Sequence, residues 1–219
     1  EVVWVRAVNK TCEPKSVKIM AFCDNDLDGS YTYQGYNVSA LRYSGDVNGI
    51  HCGVDAGEWN GGYVHFEGFL TCGQPLSGWD CARNAFIGPY GNIHDPRAIH
   101  EGGCKNSDCV AEKSAFAVQT TLELAPGGEG FASFVMGLTE SVERINELTA
   151  RFDTEEKVSA ERAAVTEKYR SVSSGVKIST PDGALDKLFN NWLPYQTNLG
   201  SRWARIRHNG FRDMTSDTD

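Results

Sequence analysis

Two arginines, a histidine and three aspartates crowd around one Gly-Phe pair in the run Arg207-His208-Asn209-Gly210-Phe211-Arg212-Asp213-Met214-Thr215-Ser216-Asp217-Thr218-Asp219. Carboxylates accept and guanidinium groups donate several hydrogen bonds at once, so this density of opposite charge suits a polyhydroxylated ligand. The cluster follows an amphipathic, helix-like stretch, and no core-forming segment comes after it. The expectation is a piece of a larger protein that ends at the edge of an active site. The opening Glu1-Val2-Val3-Trp4 alternates like a strand already under way, which points the same way.

Other residues with chemical potential read more plainly. Seven cysteines (12, 23, 52, 72, 81, 104 and 109) are an odd number without paired CxxC spacing. A zinc site would need ligands from distant positions such as His94 or His100, so no metal is expected. Reduced thiols in a cytoplasmic protein are the main reading, and a secreted disulfide framework is the minor one. His51, His65, His94 and His100 have neither a nucleophile partner nor metal spacing, and no catalytic role is assigned to them. Asp24-Asn25-Asp26-Leu27-Asp28-Gly29 loosely resembles a calcium loop, but position 35 is glycine where that loop needs glutamate, so a turn is expected. Trp59, Trp79 and Tyr90 have faces that suit the C–H surface of a sugar ring, with buried anchoring as the commoner use of such side chains.

The elements that must position these residues change character once, near residue 138. Before it the chain reads as strands: Val2–Val5, Val17–Phe22, Tyr63–Phe69 and Ser114–Leu124 alternate and are rich in β-branched or aromatic residues. Pro126-Gly127-Gly128-Glu129-Gly130 supplies a turn, and Phe131–Gly137 resumes as strand. Many strands broken by glycine and asparagine predict an antiparallel sandwich of half-buried strands. Gly73–Cys109 reads as a long irregular loop, the kind of segment that carries function. Beyond it, Glu140–Thr149 and Thr154–Ser171 read as helices, the second with Val158, Val165, Tyr169 and Val172 on one side. Val176–Ser179 is strand-like. Thr180-Pro181-Asp182 then looks like a helix start, with Thr180 at the N-cap. Leu185, Leu188, Trp192, Tyr195 and Leu199 make an apolar stripe that reads first as core packing, and Pro194 predicts a kink or an early end to the helix's regular bonding.

Composition excludes whole classes of function. Of 219 residues, 40% are hydrophobic and 23% charged, as in ordinary globular proteins. A net charge of −8 argues against nucleic acid or an anionic membrane as partner. No apolar run approaches a membrane span. A neutral sugar, or a small anion held by local arginines, stays open.

Several motifs together resemble glycoside hydrolase family 94, the inverting phosphorylases of cellobiose, chitobiose and related β-glucans. These are Thr180-Pro181-Asp182, Leu185-Asp186, Asn191-Trp192-Leu193, Tyr195-Gln196, Gly210-Phe211-Arg212-Asp213 and Asp217, preceded by Trp79-Asp80-Cys81-Ala82-Arg83, Phe86-Ile87-Gly88, Tyr90 and Gly102-Gly103. The likeness runs from about residue 79 onward. It implies a mainly β fold with helices: a galactose-mutarotase-like supersandwich at 1–138, a helical linker at 139–179 and the start of an (α/α)6 catalytic barrel at 180–219.

The function the resemblance implies is reversible, inverting phosphorolysis of a β-linked disaccharide or oligosaccharide to an α-sugar 1-phosphate, in a cytoplasmic homodimer. Inorganic phosphate is co-substrate and no cofactor is expected. The aspartic acid that protonates the leaving oxygen lies deeper in the family's barrel, beyond residue 219, so the catalytic group is absent and these residues alone should be inactive. Arg207 and Asp213 match the family's sugar-holding pair, the carboxylate bridging two hydroxyls and the guanidinium fork giving two bonds. The bland reading is an ion pair bracing a loop. Arg212 and Asp217 are expected to orient these neighbours. Asp80, Arg83 and Asn84 fall in the loop that, in the family, reaches toward a neighbouring subunit's site, with loop hydrogen bonding as the commoner explanation. Ser216, where many members have glutamine, and the Arg207-His208-Asn209 run depart from the family pattern and leave sugar and linkage open. A glycosyl transferase like the cyclic glucan synthases is a variant, and a hydrolase using water stays open. The alternative from another class is a non-catalytic carbohydrate-binding sandwich.

Overall fold

The computed structural model describes residues 1–25, 41–59, 62–110, 112–202, 206–207 and 210–211, with the backbone alone at 54–59, 62–64, 200–202, 206–207 and 210–211. The chain divides into two units, Glu1–Val158 and Ser159–Asp219.

The first unit is mainly β and antiparallel. One sheet has the order β1 (Val2–Val8), β8 (Glu129–Thr139), β5 (Gly62–Cys72), β4 (Gly49–Trp59), β3 (Arg42–Ser44), and the other the order β2 (Lys15–Asp24), β7 (Ser114–Leu124), β6 (Leu76–Ala82). Strand alternation sorts their side chains between faces. Ile50, Leu70 and Phe134 of the larger sheet enter one core with Phe116, Val118 and Leu122 of the smaller. Their chain neighbours Phe69 and Val135 belong to a second core, closed by Ile145, Phe152 and Val158 of α3 (Val142–Arg151), the residue that follows it and α4 (Glu155–Val172). Strand β7 is therefore not half-buried as its alternation predicts. Val118 packs into the first core, while Ala117 packs against Phe86, Ile87 and Ala98. Those residues come from α1 (Arg83–Phe86), its C-terminal neighbour and α2 (Arg97–His100). The stretch 73–109 thus contains a strand and two helical turns, not one irregular loop.

Close contacts fix α3 on the larger sheet. The Ser141 hydroxyl accepts from Arg144 N–H at 3.3 Å and caps the helix. The hydroxyls of Thr71 and Thr149 pair at 2.7 Å. At Gly73 an added Cβ would lie 2.5 Å from Ser133 Oγ and 2.8 Å from Asp153 Cα, so only glycine lets the chain pass here. Next to it, the Gln74 amide donates to Asp153 O and accepts from Ser133 N, both at 2.8 Å.

The second unit carries α5 (Gly183–Lys187), a π-helical turn (Leu188–Trp192), α6 (Leu193–Arg202) and a short hairpin of β9 (Ile206–Arg207) with β10 (Gly210–Phe211). Asp182, not Thr180, is the N-cap of α5. Its carboxylate accepts from Ala184 N at 2.9 Å, whereas the Thr180 hydroxyl donates to Asp186 Oδ1. The apolar stripe is not core among the described residues. Leu188, Trp192 and Tyr195 remain 41%, 56% and 37% exposed, along a groove of about 630 Å³ that Tyr169 also lines.

Candidate functional site

Arg207 sits on the two-residue strand β9, where its backbone pairs with Gly210, and Ile206 pairs with Phe211. Only residues 203–205 separate this hairpin from the end of α6 at Arg202. The helix and the hairpin that bears the candidate arginine are thus joined by almost no chain. Arg212, Asp213 and Asp217 lie outside the described residues, as do Asp26 to Gly29 of the calcium-like run.

The segment carrying Asp80, Arg83 and Asn84 is a closed hydrogen-bonded frame. Asp80 is fully buried on β6. Its carboxylate accepts from Lys105 N at 3.1 Å, Ser107 N at 3.1 Å and Ser107 Oγ at 2.7 Å. A buried carboxylate needs such donors to offset its lost hydration. They hold the 103–109 loop against the strand, so Asp80 is a loop clamp and not a ligand contact. Arg83 Nε reaches Asp24 Oδ1 at 2.7 Å. Asn84 is exposed. Trp79 stacks on Tyr43 with ring centroids 4.2 Å apart, and its buried Nε1 has no hydrogen-bond partner among the described residues. Tyr90 is fully exposed. The Trp59 side chain is not among those described.

A chain of polar groups that sequence reading missed lies on β4 and β5. Glu67 bridges two imidazoles, with His51 Nδ1 2.9 Å from one oxygen and His65 Nε2 3.1 Å from the other. Gly53 makes the room, since a Cβ there would come within 2.9 Å of His65 Cε1. Burial pushes the Glu67 carboxyl up, but hydrogen bonds from His51 and His65 and their charges outweigh it and hold the group below the usual carboxylate range. The available signal was His65 and Glu67 two apart on one strand, but His51 joins them only through the β4–β5 register, which sets Gly53 opposite Glu67. Each nitrogen engages a different oxygen, and among the described residues no His, Cys, Asp and Glu cluster could hold a metal ion.

Comparison with known proteins places this architecture. Residues 52–155 match the glycosyl hydrolase 94 supersandwich domain, from β4 to the start of α4, further toward the N-terminus than the motifs that begin at Trp79. The chain is 24% identical over 221 residues to the solabiose phosphorylase of Paenibacillus borealis, covering 98% of this chain and 28% of that protein. It is 29% identical over 133 residues to a 3-O-beta-D-glucopyranosyl-beta-D-glucuronide phosphorylase of the same organism, covering 60% and 17%. A cyclic beta-(1,2)-glucan synthase of Rhizobium meliloti is 28% identical over 158 residues, covering 68% and 6%. The chain therefore spans 28% or less of the length of these relatives. The resemblance to glycoside hydrolase family 94 holds, and the matched supersandwich agrees with the antiparallel sheets.

Proposed function

We propose that this chain, similar to the glycoside hydrolase 94 phosphorylases across its sandwich, contributes the sandwich and a sugar-gripping hairpin to an inverting glycoside phosphorylase. The observation that carries the reading is the likeness to solabiose phosphorylase over 98% of the chain, joined to the supersandwich match. In this reading residues 1–138 are the sandwich, 139–179 the helical linker and 180–219 the beginning of the catalytic barrel. A phosphate oxygen attacks the anomeric carbon of a β-linked sugar from the face opposite the glycosidic oxygen. The carbon–oxygen bond to the leaving sugar breaks, an acid protonates that oxygen, and an α-sugar 1-phosphate remains. Arg207 and Asp213 hold hydroxyls of the glycosyl unit, and Arg212 and Asp217 orient them. The acid is not among these 219 residues, so the 219-residue chain alone should show no turnover. The partners are a β-linked oligosaccharide, phosphate and a second subunit, and the setting is the cytoplasm.

The test uses the protein expressed from its complete reading frame, incubated with a panel of β-linked disaccharides with and without phosphate. Phosphate-dependent α-sugar 1-phosphate is the expected product, and the productive disaccharide names the linkage. Products formed without phosphate would instead mean a hydrolase or transferase. No turnover on any sugar would favour a carbohydrate-binding module. In the active protein Asp213→Asn should lower kcat/KM about a hundredfold, the worth of a charge-assisted hydrogen bond. Unchanged kinetics would remove Asp213 from the sugar site.

A further inference from the structure

The turn before Pro194 departs from an ordinary helix, and its compensating bonds gather at one residue, Asn190. Proline has no N–H, and its ring collides with the carbonyl four residues back, here that of Asn190. The chain answers with a π-helical turn at Leu188–Trp192, in which Leu193 N–H reaches back five residues to Leu188 O. Such widened turns recur at functional sites because they re-aim a helix. The Asn190 carbonyl, denied its helical donor, accepts from Lys177 Nζ at 3.0 Å. The Asn190 side chain at the same time grips the extended segment before α5. Its Oδ1 accepts from Ile178 N at 2.8 Å and its Nδ2 donates to Ile178 O at 2.8 Å. An amide paired with both backbone groups of one residue copies a rung of a β-ladder, and of the side chains only asparagine and glutamine carry donor and acceptor side by side on one planar amide. Glutamine would be one methylene too long. Three of Asn190's polar groups are thus committed to residues 177 and 178, and the turn cannot slide back to α-helical register without giving up those bonds.

We propose that Asn190 is a positioning residue: by locking the π turn it sets the direction of α6 and so the place of the β9–β10 hairpin that carries Arg207. The inference rests on the reading of that hairpin as the sugar-holding element. With residues 203–205 alone between α6 and β9, the course of α6 sets where the strand that bears Arg207 can begin. A shift of about 1 Å in a substrate-holding group can cost up to about a hundredfold in rate.

The experiment compares wild type, Asn190→Ala and Lys177→Met in the protein from the complete reading frame, with the disaccharide found productive above. Michaelis constants are measured separately for sugar and phosphate, alongside amide hydrogen exchange. Asn190→Ala should raise the KM for sugar about tenfold, leave that for phosphate unchanged, and expose the Ile178 amide and those of α6 to faster exchange. Lys177→Met should move the same quantities in the same direction by less, and it carries the test alone if Asn190→Ala does not fold. A folded Asn190→Ala with the wild-type KM for sugar overturns the proposal, as does an equal rise in both constants, which would report general loosening. Should wild type turn over no sugar at all, the phosphorylase reading falls by itself. The lock is then judged by exchange: an Ile178 amide protected in wild type and released in Asn190→Ala upholds it, and one unprotected in wild type overturns it.

Discussion

At the scale of single residues, the thiols give the sharpest pH-dependent expectation. Burial pushes Cys81 up to about 12, with Asp108, Cys109 and Asp80 adding to the effect, and it raises Cys104 to about 12 and Cys72 to about 11 from an ordinary value of 9.0. The folded state binds these protons more tightly than the unfolded state does. The resulting stabilisation is complete below pH about 9, and it is lost as the pH rises from there toward 11–12. Unfolding free energy of the reduced protein, from urea melts, should therefore fall above pH about 9, and less steeply in Cys81→Ala. Near pH 8 the exposed Cys12 should react at once with a thiol reagent while the buried Cys72, Cys81 and Cys109 wait for unfolding. Rapid modification of all of these in the folded protein would contradict the burial on which the argument stands.

Elements, in turn, are held by a few close approaches that tolerate no added atom. Gly73 is the strongest case, because the atoms a Cβ would strike include backbone at Asp153 Cα, which cannot swing aside as a side-chain tip can. Gly73→Ala should cost about 1–3 kcal/mol by overpacking, read as a lower urea midpoint with unchanged slope. A wild-type midpoint would show that α3 and its junction with α4 yield easily. Such approaches were not legible in the sequence, whereas the strands rich in β-branched and aromatic residues were: β1, β2, β5, β7 and β8 coincide with or extend the predicted stretches. Strand β6 was missed because Asp80, Cys81 and Ala82 are buried in a row, which breaks alternation. Strand β4 was missed because Gly49, Gly53 and Gly57 dilute its pattern. The clamp at Asp80 depends on donors some 25 residues on, which no local pattern announces. The candidate site was legible as a charged cluster around Gly210-Phe211, but the lock at Asn190 depends on a pairing across 12 residues that only the fold supplies.

For the molecule as a whole, the two units differ in what they bury. The sandwich unit closes its cores with fully buried residues such as Leu41, Ile50, Leu70, Val118 and Ile145. In the second unit none of residues 159–199 is buried, and Leu188, Phe189, Trp192 and Tyr195 stand well exposed. Helices as short as α5 and α6 gain most of their stability from packing an apolar face, and alone in water they are marginal. Their amides in the 219-residue chain should therefore exchange within seconds to minutes, while those of β5, β7 and β8 should wait for global unfolding. The same exposed aromatic face should bind a hydrophobic dye and draw chains together as concentration rises. Hydrogen exchange resolved by peptide, run beside sedimentation velocity, reads both effects in one sample. A monomer that leaves the dye unbound and protects α6 as well as β7 would mean that this face is covered within the chain itself, and the association argued from its exposure would fall.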